Sequence, residues 1–241
     1  MDWGKKRVLV TGAGKGIGRA TALMLGQRGA TVIALTRSDH DLASLAAEIG
    51  CVSHALDVAD IAAVERVVGS ELPVDMVVNC AGTTVLQPFL DTGPDEFDRV
   101  LRVNAKAPMI ISQIVARDWL GRGRHGAIVN VSSDAAFRAV ADHTAYCASK
   151  AALDAITRVM ALELGPAGIR VNSINPTVTM TPMGRLAWSD PKKAEPVRAR
   201  IPLARFAEPE EIAEAILFLL SDEASMINGV SLAADGGLAI T

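Results

Sequence analysis

Cysteine is scarce in this chain. Cys51, Cys80 and Cys147 are odd in number, far apart and without a C-x-x-C pair. That excludes a disulfide framework and a cysteine zinc site, and predicts free thiols in a reducing compartment. His40, His54, His125 and His143 show no H-x-x-x-H or H-E-x-x-H spacing, so no metal site is expected. Long apolar runs are missing too: the run 215–220 near the end is far too short to span a bilayer. The opening residues, from Met1 to Arg7, lead straight into a strand with no apolar leader core, and a cytoplasmic protein is expected. Lys and Arg (24) and Asp and Glu (27) are dispersed, with a net charge of −3. No basic stripe marks a nucleic-acid groove.

What is present is an ordinary globular composition, half apolar and 21% charged over 241 residues, enough for one large core and short for two domains. Short β-branched runs alternate with longer helical stretches. Strands are predicted at 7–11, 31–35, 52–56, 76–79, 127–131, 170–175 and 230–233. Several are apolar without alternation, as strands buried on both faces must be. Helices are predicted at 18–28, 39–48, 59–69, 95–118, 144–164 and 208–221. The last has Pro209 at its first position, followed by Glu210 and Glu211. This order of repeated βαβ units predicts an α/β fold, a doubly wound parallel sheet with helices on both faces. The segment 177–205 breaks the rhythm with Pro182, Pro191 and Pro196, and is a candidate substrate lid.

The first strand ends in Thr11-Gly12-Ala13-Gly14-Lys15-Gly16-Ile17-Gly18-Arg19. Glycines there let the chain turn sharply and bring backbone N–H groups to a pyrophosphate at a helix N-terminus. Gly12, Gly16 and Gly18 fit G-x-x-x-G-x-G rather than G-x-G-x-x-G, and in this the chain resembles the short-chain dehydrogenase/reductase family. The resemblance runs over essentially the whole chain. Asn79-Cys80-Ala81-Gly82 matches the family's N-N-A-G segment with Cys80 for the second Asn. Asn104 stands at its helix Asn, and Ser133, Tyr146 and Lys150 match its Ser and Y-x-x-x-K. Asn175-Pro176-Thr177 replaces the usual Pro-Gly step. Finer matches, among them Gln87-Pro88-Phe89-Leu90 and Trp188-Ser189-Asp190-Pro191, point to the dicarbonyl/L-xylulose reductase branch. The resemblance implies a single-domain, Rossmann-type fold over residues 1–241 and a homotetramer built through the helices at 95–118 and 144–164.

Cofactor choice can be argued from charge. An NAD-selecting fold places an acid at the end of strand two, about 20 residues past the glycines, to accept from the ribose 2′-hydroxyl. That place is Thr36 here, followed by Arg37. A guanidinium can hold a 2′-phosphate with paired hydrogen bonds, and Lys15 adds a second cation, so NADP(H) is predicted. Asp39 and Asp41 read as a helix start capped by Ser38. Beyond Gly12, Lys15, Gly16, Ile17, Gly18 and Arg37, the predicted cofactor set takes in Ser38, Asp57 and Val58 after strands two and three. It continues with Asn79, Ala81 and Gly82 after strand four, Tyr146 and Lys150, and Pro176, Val178 and Thr179 after strand six.

The only tyrosine falls in Tyr146-Cys147-Ala148-Ser149-Lys150. The i, i+4 spacing puts Tyr146 and Lys150 on one helix face, where a cation is expected to lower the phenol's pKa for proton donation. Ser133, thirteen residues earlier, is expected to hydrogen-bond the substrate carbonyl and stabilise the alkoxide. By resemblance, Lys150 holds the nicotinamide ribose and Asn104 holds a water that links Lys150 to solvent. Arg138, His143 and Trp188 are candidate substrate contacts. The expected reaction is hydride transfer between nicotinamide and a small carbonyl or polyol. A 3-oxoacyl-carrier-protein reductase is the alternative enzyme, although the net charge suggests no basic patch for an acidic carrier. An NADP(H)-sensing regulator would not need the Ser and Tyr.

Overall fold

A computed structural model describes residues 1–241, the side chain of Met183 excepted. Its centre is a seven-stranded parallel sheet of β1 (Arg7–Thr11), β2 (Thr31–Thr36), β3 (Val52–Ala55), β4 (Met76–Asn79), β5 (Gly126–Val131), β6 (Ile169–Pro176) and β7 (Ser231–Ala234). The order is β3-β2-β1-β4-β5-β6-β7, so the strand order changes sense between β1 and β4. The carboxyl ends of those two strands therefore frame the crevice where a doubly wound sheet takes its ligand.

Period-two alternation divides the core. Val8, Val10, Val32, Ala34, Val78 and Val129 face one side and pack on α1 (Gly16–Gln27), α2 (Asp39–Ile49) and the C-terminal helix. Leu9, Ile33, Leu35, Val77 and Ile128 face the other, against α3 (Ile61–Ser70) and the helices that follow it. Both faces are apolar, which is why the strand sequences do not alternate.

The predicted helix 95–118 is three pieces. α4 (Pro94–Leu101) and α5 (Ala107–Gly121) are joined by a π turn at Arg102–Lys106. Pro108 is the physical reason: it has no N–H to give to the turn before it, so the α-helical ladder cannot run through unbroken. The long α6 (Thr144–Leu164) is as predicted. The candidate lid segment is largely helical. It forms α7 (Pro182–Ala187), capped by Thr181 Oγ1 on Gly184 N at 3.0 Å, and α8 (Pro191–Arg198), capped by Asp190 on Lys192 N at 2.9 Å. Proline at the start of each helix costs no hydrogen bond, so Pro182 and Pro191, which look like loop punctuation, are helix starts, while Pro196 lies within α8. α9 (Pro209–Leu220) closes the first face, its N-terminus tied by a reciprocal Glu208–Glu211 capping box. Most other predicted boundaries shift by one or two residues. Among the described residues no helix is long and apolar enough to cross a membrane.

Candidate active site

The crevice begins at the turn after β1. Gly12 has φ +67°, and a β-carbon there would lie 2.8 Å from Ala81 N. At Gly18 it would lie 2.3 Å from the Gly12 carbonyl oxygen, so α1 can pack this tightly on β1 only without a side chain. Thr11 Oγ1 accepts from both Cys80 N and Ala81 N at 3.0 Å, locking the turns after β1 and β4 together. Lys15 stands at the N-cap of α1 with no side-chain cap, leaving the N–H groups of Gly16 and Ile17 available to an anion.

Charges gather beside this turn. A β-carbon on Gly14 would meet Thr36 Oγ1 and Asp41 Cβ at 3.0 Å, so the turn rests on the end of β2. Arg37 is 78% exposed, its guanidinium 4.0 Å from Asp57. Lys15 is 68% exposed and 3.3 Å from Asp41. Ser38 Oγ accepts from Asp41 N at 3.2 Å, the cap read from the sequence. Asp57 Oδ1 accepts from Ala59 N at 2.9 Å, and Val58 is buried. From the other side, β6 ends at Pro176, Val178 O accepts from Ala207 N, and buried Thr179 bonds the Thr177 carbonyl. Thr181 then lies against Gly16.

Not every predicted residue turns toward the crevice. The Asn79 side chain is buried in the sheet, donating to Ser112 Oγ at 3.1 Å and Asn130 Oδ1 at 2.9 Å. Asn104, on the π turn, is fully buried. Its Oδ1 accepts from Thr83 N at 2.8 Å, and its amide donates to Thr83 O (2.8 Å) and Ser149 Oγ (2.9 Å). Its N–H groups thus anchor the loop after β4, and only Oδ1 has acceptor capacity left for a water. A β-carbon on Gly82 would lie 3.6 Å from both Asn104 Oδ1 and Lys150 Nζ, so glycine keeps the gap between them open.

Tyr146 and Lys150 share a face of α6 as their spacing predicts, with Nζ 5.6 Å from the ring centroid. The electrostatics differ from expectation. Burial pushes the Tyr146 phenol up to about 12, opposed by the Ser133 hydroxyl and reinforced by Asp134. Burial also brings Lys150 down to about 8, opposed by Cys80 and Asp154. Lys150 Nζ donates to Val131 O at 2.8 Å. Desolvation thus outweighs the lowering expected of a neighbouring cation, because both groups lose water on entering the same interior.

Ser133 Oγ accepts from Ala135 N at 3.2 Å and donates to Asp134 Oδ1 at 3.1 Å, while Ser132 Oγ bonds the Lys150 carbonyl at 3.3 Å. The Ser133 carbonyl is held by Asn175 Nδ2 at 2.9 Å, and that amide also donates to Asp154 Oδ2 at 2.7 Å. Asp134, Asp154 and Asn175 were not predicted. Asp154 was within reach of sequence reasoning, being one turn beyond Lys150 on the same face. Of the substrate candidates, the His143 ring stands edge-on to Tyr146 at 6.0 Å. Trp188 ends α7 and packs on Phe206 at 5.7 Å.

The family profile described as Enoyl-(Acyl carrier protein) reductase matches residues 12–239. An L-xylulose reductase from Mesocricetus auratus is 52% identical over all of both chains. This chain belongs to the short-chain dehydrogenase/reductase family. It is therefore an oxidoreductase, and its fold and sequence agree with full-length relatives. A D-erythrulose reductase from Gallus gallus is 51% identical to this chain, covering 98% of this chain and 96% of that one. A crystal structure from Beutenbergia cavernae, of a protein assigned as an NAD(P)-dependent gluconate 5-dehydrogenase with NADP bound at low occupancy, superposes with a TM-score of 0.94. It is 33% identical and 98% of each chain is covered.

Proposed function

We propose that this reductase transfers hydride from NADPH to the carbonyl of small ketoses and α-dicarbonyls. The observation that carries the reading is that Lys150 Nζ lies 5.6 Å from the Tyr146 ring on one face of α6, with the Ser133 hydroxyl beside the phenol. The nicotinamide supplies the hydride when bound; the protein's own groups handle the oxygen and its proton. Ser133 and Tyr146 face the developing alkoxide, Ser133 as hydrogen-bond donor and Tyr146 as proton donor. Lys150 resupplies the proton through water in the gap beside Gly82, with Asn104 Oδ1 as the acceptor that holds that water.

The uncapped end of α1 and the closed turn at Gly12 fit a pyrophosphate. Arg37 and Lys15, exposed beside Thr36, fit a 2′-phosphate and reject nothing there, which favours NADP(H) over NAD(H). His143, beside Tyr146, lies within reach of substrate, and α7 and α8 with Trp188 form its lid. The names of the relatives, reductases of L-xylulose and D-erythrulose, support a ketose substrate over an acyl thioester. A cytoplasmic homotetramer is part of the same reading. Val159 and Leu162 on α6 are 53% and 78% exposed, an apolar face of the kind that subunit contacts cover.

Purified protein should oxidise NADPH with L-xylulose, L-erythrulose and diacetyl, followed by absorbance. Turnover confined to acetoacetyl or enoyl thioesters would replace this reading with a carrier-protein reductase. Tight NADPH binding with no turnover of any carbonyl would replace it with a sensor.

A further inference from the structure

The Ser133 hydroxyl has one proton to donate, and in the structure it goes to a neighbour. Ser133 Oγ donates to Asp134 Oδ1 at 3.1 Å. The other oxygen, Asp134 Oδ2, accepts from Arg138 Nε at 2.9 Å and pairs with Arg138 Nη2 at 2.8 Å. Ser133 and Asp134 are 8% and 4% exposed, so this carboxylate depends on protein donors rather than on bulk water. Both guanidinium contacts fall on Oδ2, so they hold that oxygen and leave Oδ1 to the serine. An ionised carboxylate can only accept.

This arrangement makes substrates unequal. A ketone with no hydroxyl beside its carbonyl can take the Ser133 proton only by leaving Oδ1 without a donor, and a buried charged acceptor left unmatched is costly. A ketone with a hydroxyl on the adjacent carbon brings the replacement. Its O–H donates to Asp134 Oδ1 while Ser133 turns its proton to the carbonyl, and no hydrogen bond is lost.

We propose that Asp134, clamped by Arg138, is a specificity residue that selects α-hydroxyketones by accepting the hydroxyl next to the carbonyl that Ser133 polarises. This rests on the catalytic reading of Ser133 and Tyr146 given above. It assigns to Asp134 a contact with substrate and to Arg138 a positioning role through Asp134.

The test is the ratio of kcat/KM for L-erythrulose to kcat/KM for diacetyl, which has no hydroxyl to offer. Asp134→Asn should lower that ratio about tenfold to a hundredfold, the range for a hydrogen bond to a charged group. Arg138→Gln keeps the carboxylate but removes the two donors on Oδ2, and should lower the ratio by less. Ser133→Ala removes the carbonyl donor itself and should slow both substrates. A ratio within twofold of wild type in both Asp134→Asn and Arg138→Gln overturns the proposal, whatever the absolute rates do. Should Asp134→Asn fail to fold, Arg138→Gln alone decides, since that side chain reaches the surface at one quarter exposure. Tyr146→Phe separates the two levels. If it turns over like wild type, the catalytic reading itself is wrong; if it is dead while the ratios stay constant, only the role of Asp134 falls.

Discussion

The turn after β1 and the face of α6 line one crevice but are made differently. Around the turn, contacts come from backbone N–H groups and from charges that remain in water, with Arg37 and Lys15 mostly exposed. At and beside α6, Lys150, Asp154, Ser133 and Asp134 are all at most 8% exposed, and Asn175 ties Asp154 to the Ser133 carbonyl. Exposed charges act separately and are screened by salt, so each can be removed with little effect on the fold. Buried polar groups polarise and constrain one another, so each substitution is felt by several neighbours. The nucleotide end should thus tune which cofactor binds, and the α6 end should decide whether anything reacts.

Substitutions can break or sharpen that contrast. The largest effect is expected from Tyr146→Phe, which should cut kcat by about 10²- to 10⁴-fold, the range for a lost general acid. NADPH affinity, followed by fluorescence, should persist. Equal loss of both would show that the two ends are not separable. Ser133→Ala should lower kcat roughly a hundredfold, as for one missing oxyanion donor; an unchanged rate there with a damaged one in Ser132→Ala would shift the role to Ser132.

At the other end, Arg37→Ala should reduce kcat/KM for NADPH about 10- to 150-fold and leave NADH nearly unaffected. Lys15 is already paired with Asp41, so Lys15→Ala should cost only a few-fold with NADPH. Parallel losses with both cofactors would mean these side chains support the turn rather than read a phosphate.

The smallest effect is on stability and isolates burial. Lys150 titrates near 8 in the folded protein against 10.5 for a free lysine. Between those values the unfolded chain binds more protons, so stability rises with pH there and is lost as pH falls through 8. Wild type should therefore gain about 2 kcal/mol on Lys150→Met between pH 8 and 10, measured by urea denaturation. Tyr146 works oppositely: its raised value adds stability below pH 10 that is lost toward 12, above this window and in both proteins. A pH-independent difference would mean that Lys150 keeps its water.

Some of this was readable without coordinates. β1, β4 and α6 lie where the residues predict them, because apolar runs and helical periods are local signals. Gly12 and Gly18 declare the turn because a β-carbon has nowhere to go. Tyr146 and Lys150 meet because four residues make one helical turn. The π turn was within reach too, since Pro108 marks it. What the sequence could not decide is set by partners far along the chain. Burial of α6 against β5 and β6 raises the phenol and lowers the ammonium, and no spacing rule contains the water each group loses. Asn175, on another strand, fixes Ser133, and the direction of the serine proton follows from how Arg138 folds back on Asp134. The sequence by itself determined the scaffold and the residue types at its crevice, because those depend on near neighbours. Only the tertiary structure decided the charge state and hydrogen-bond direction of each group, because those depend on everything packed around it.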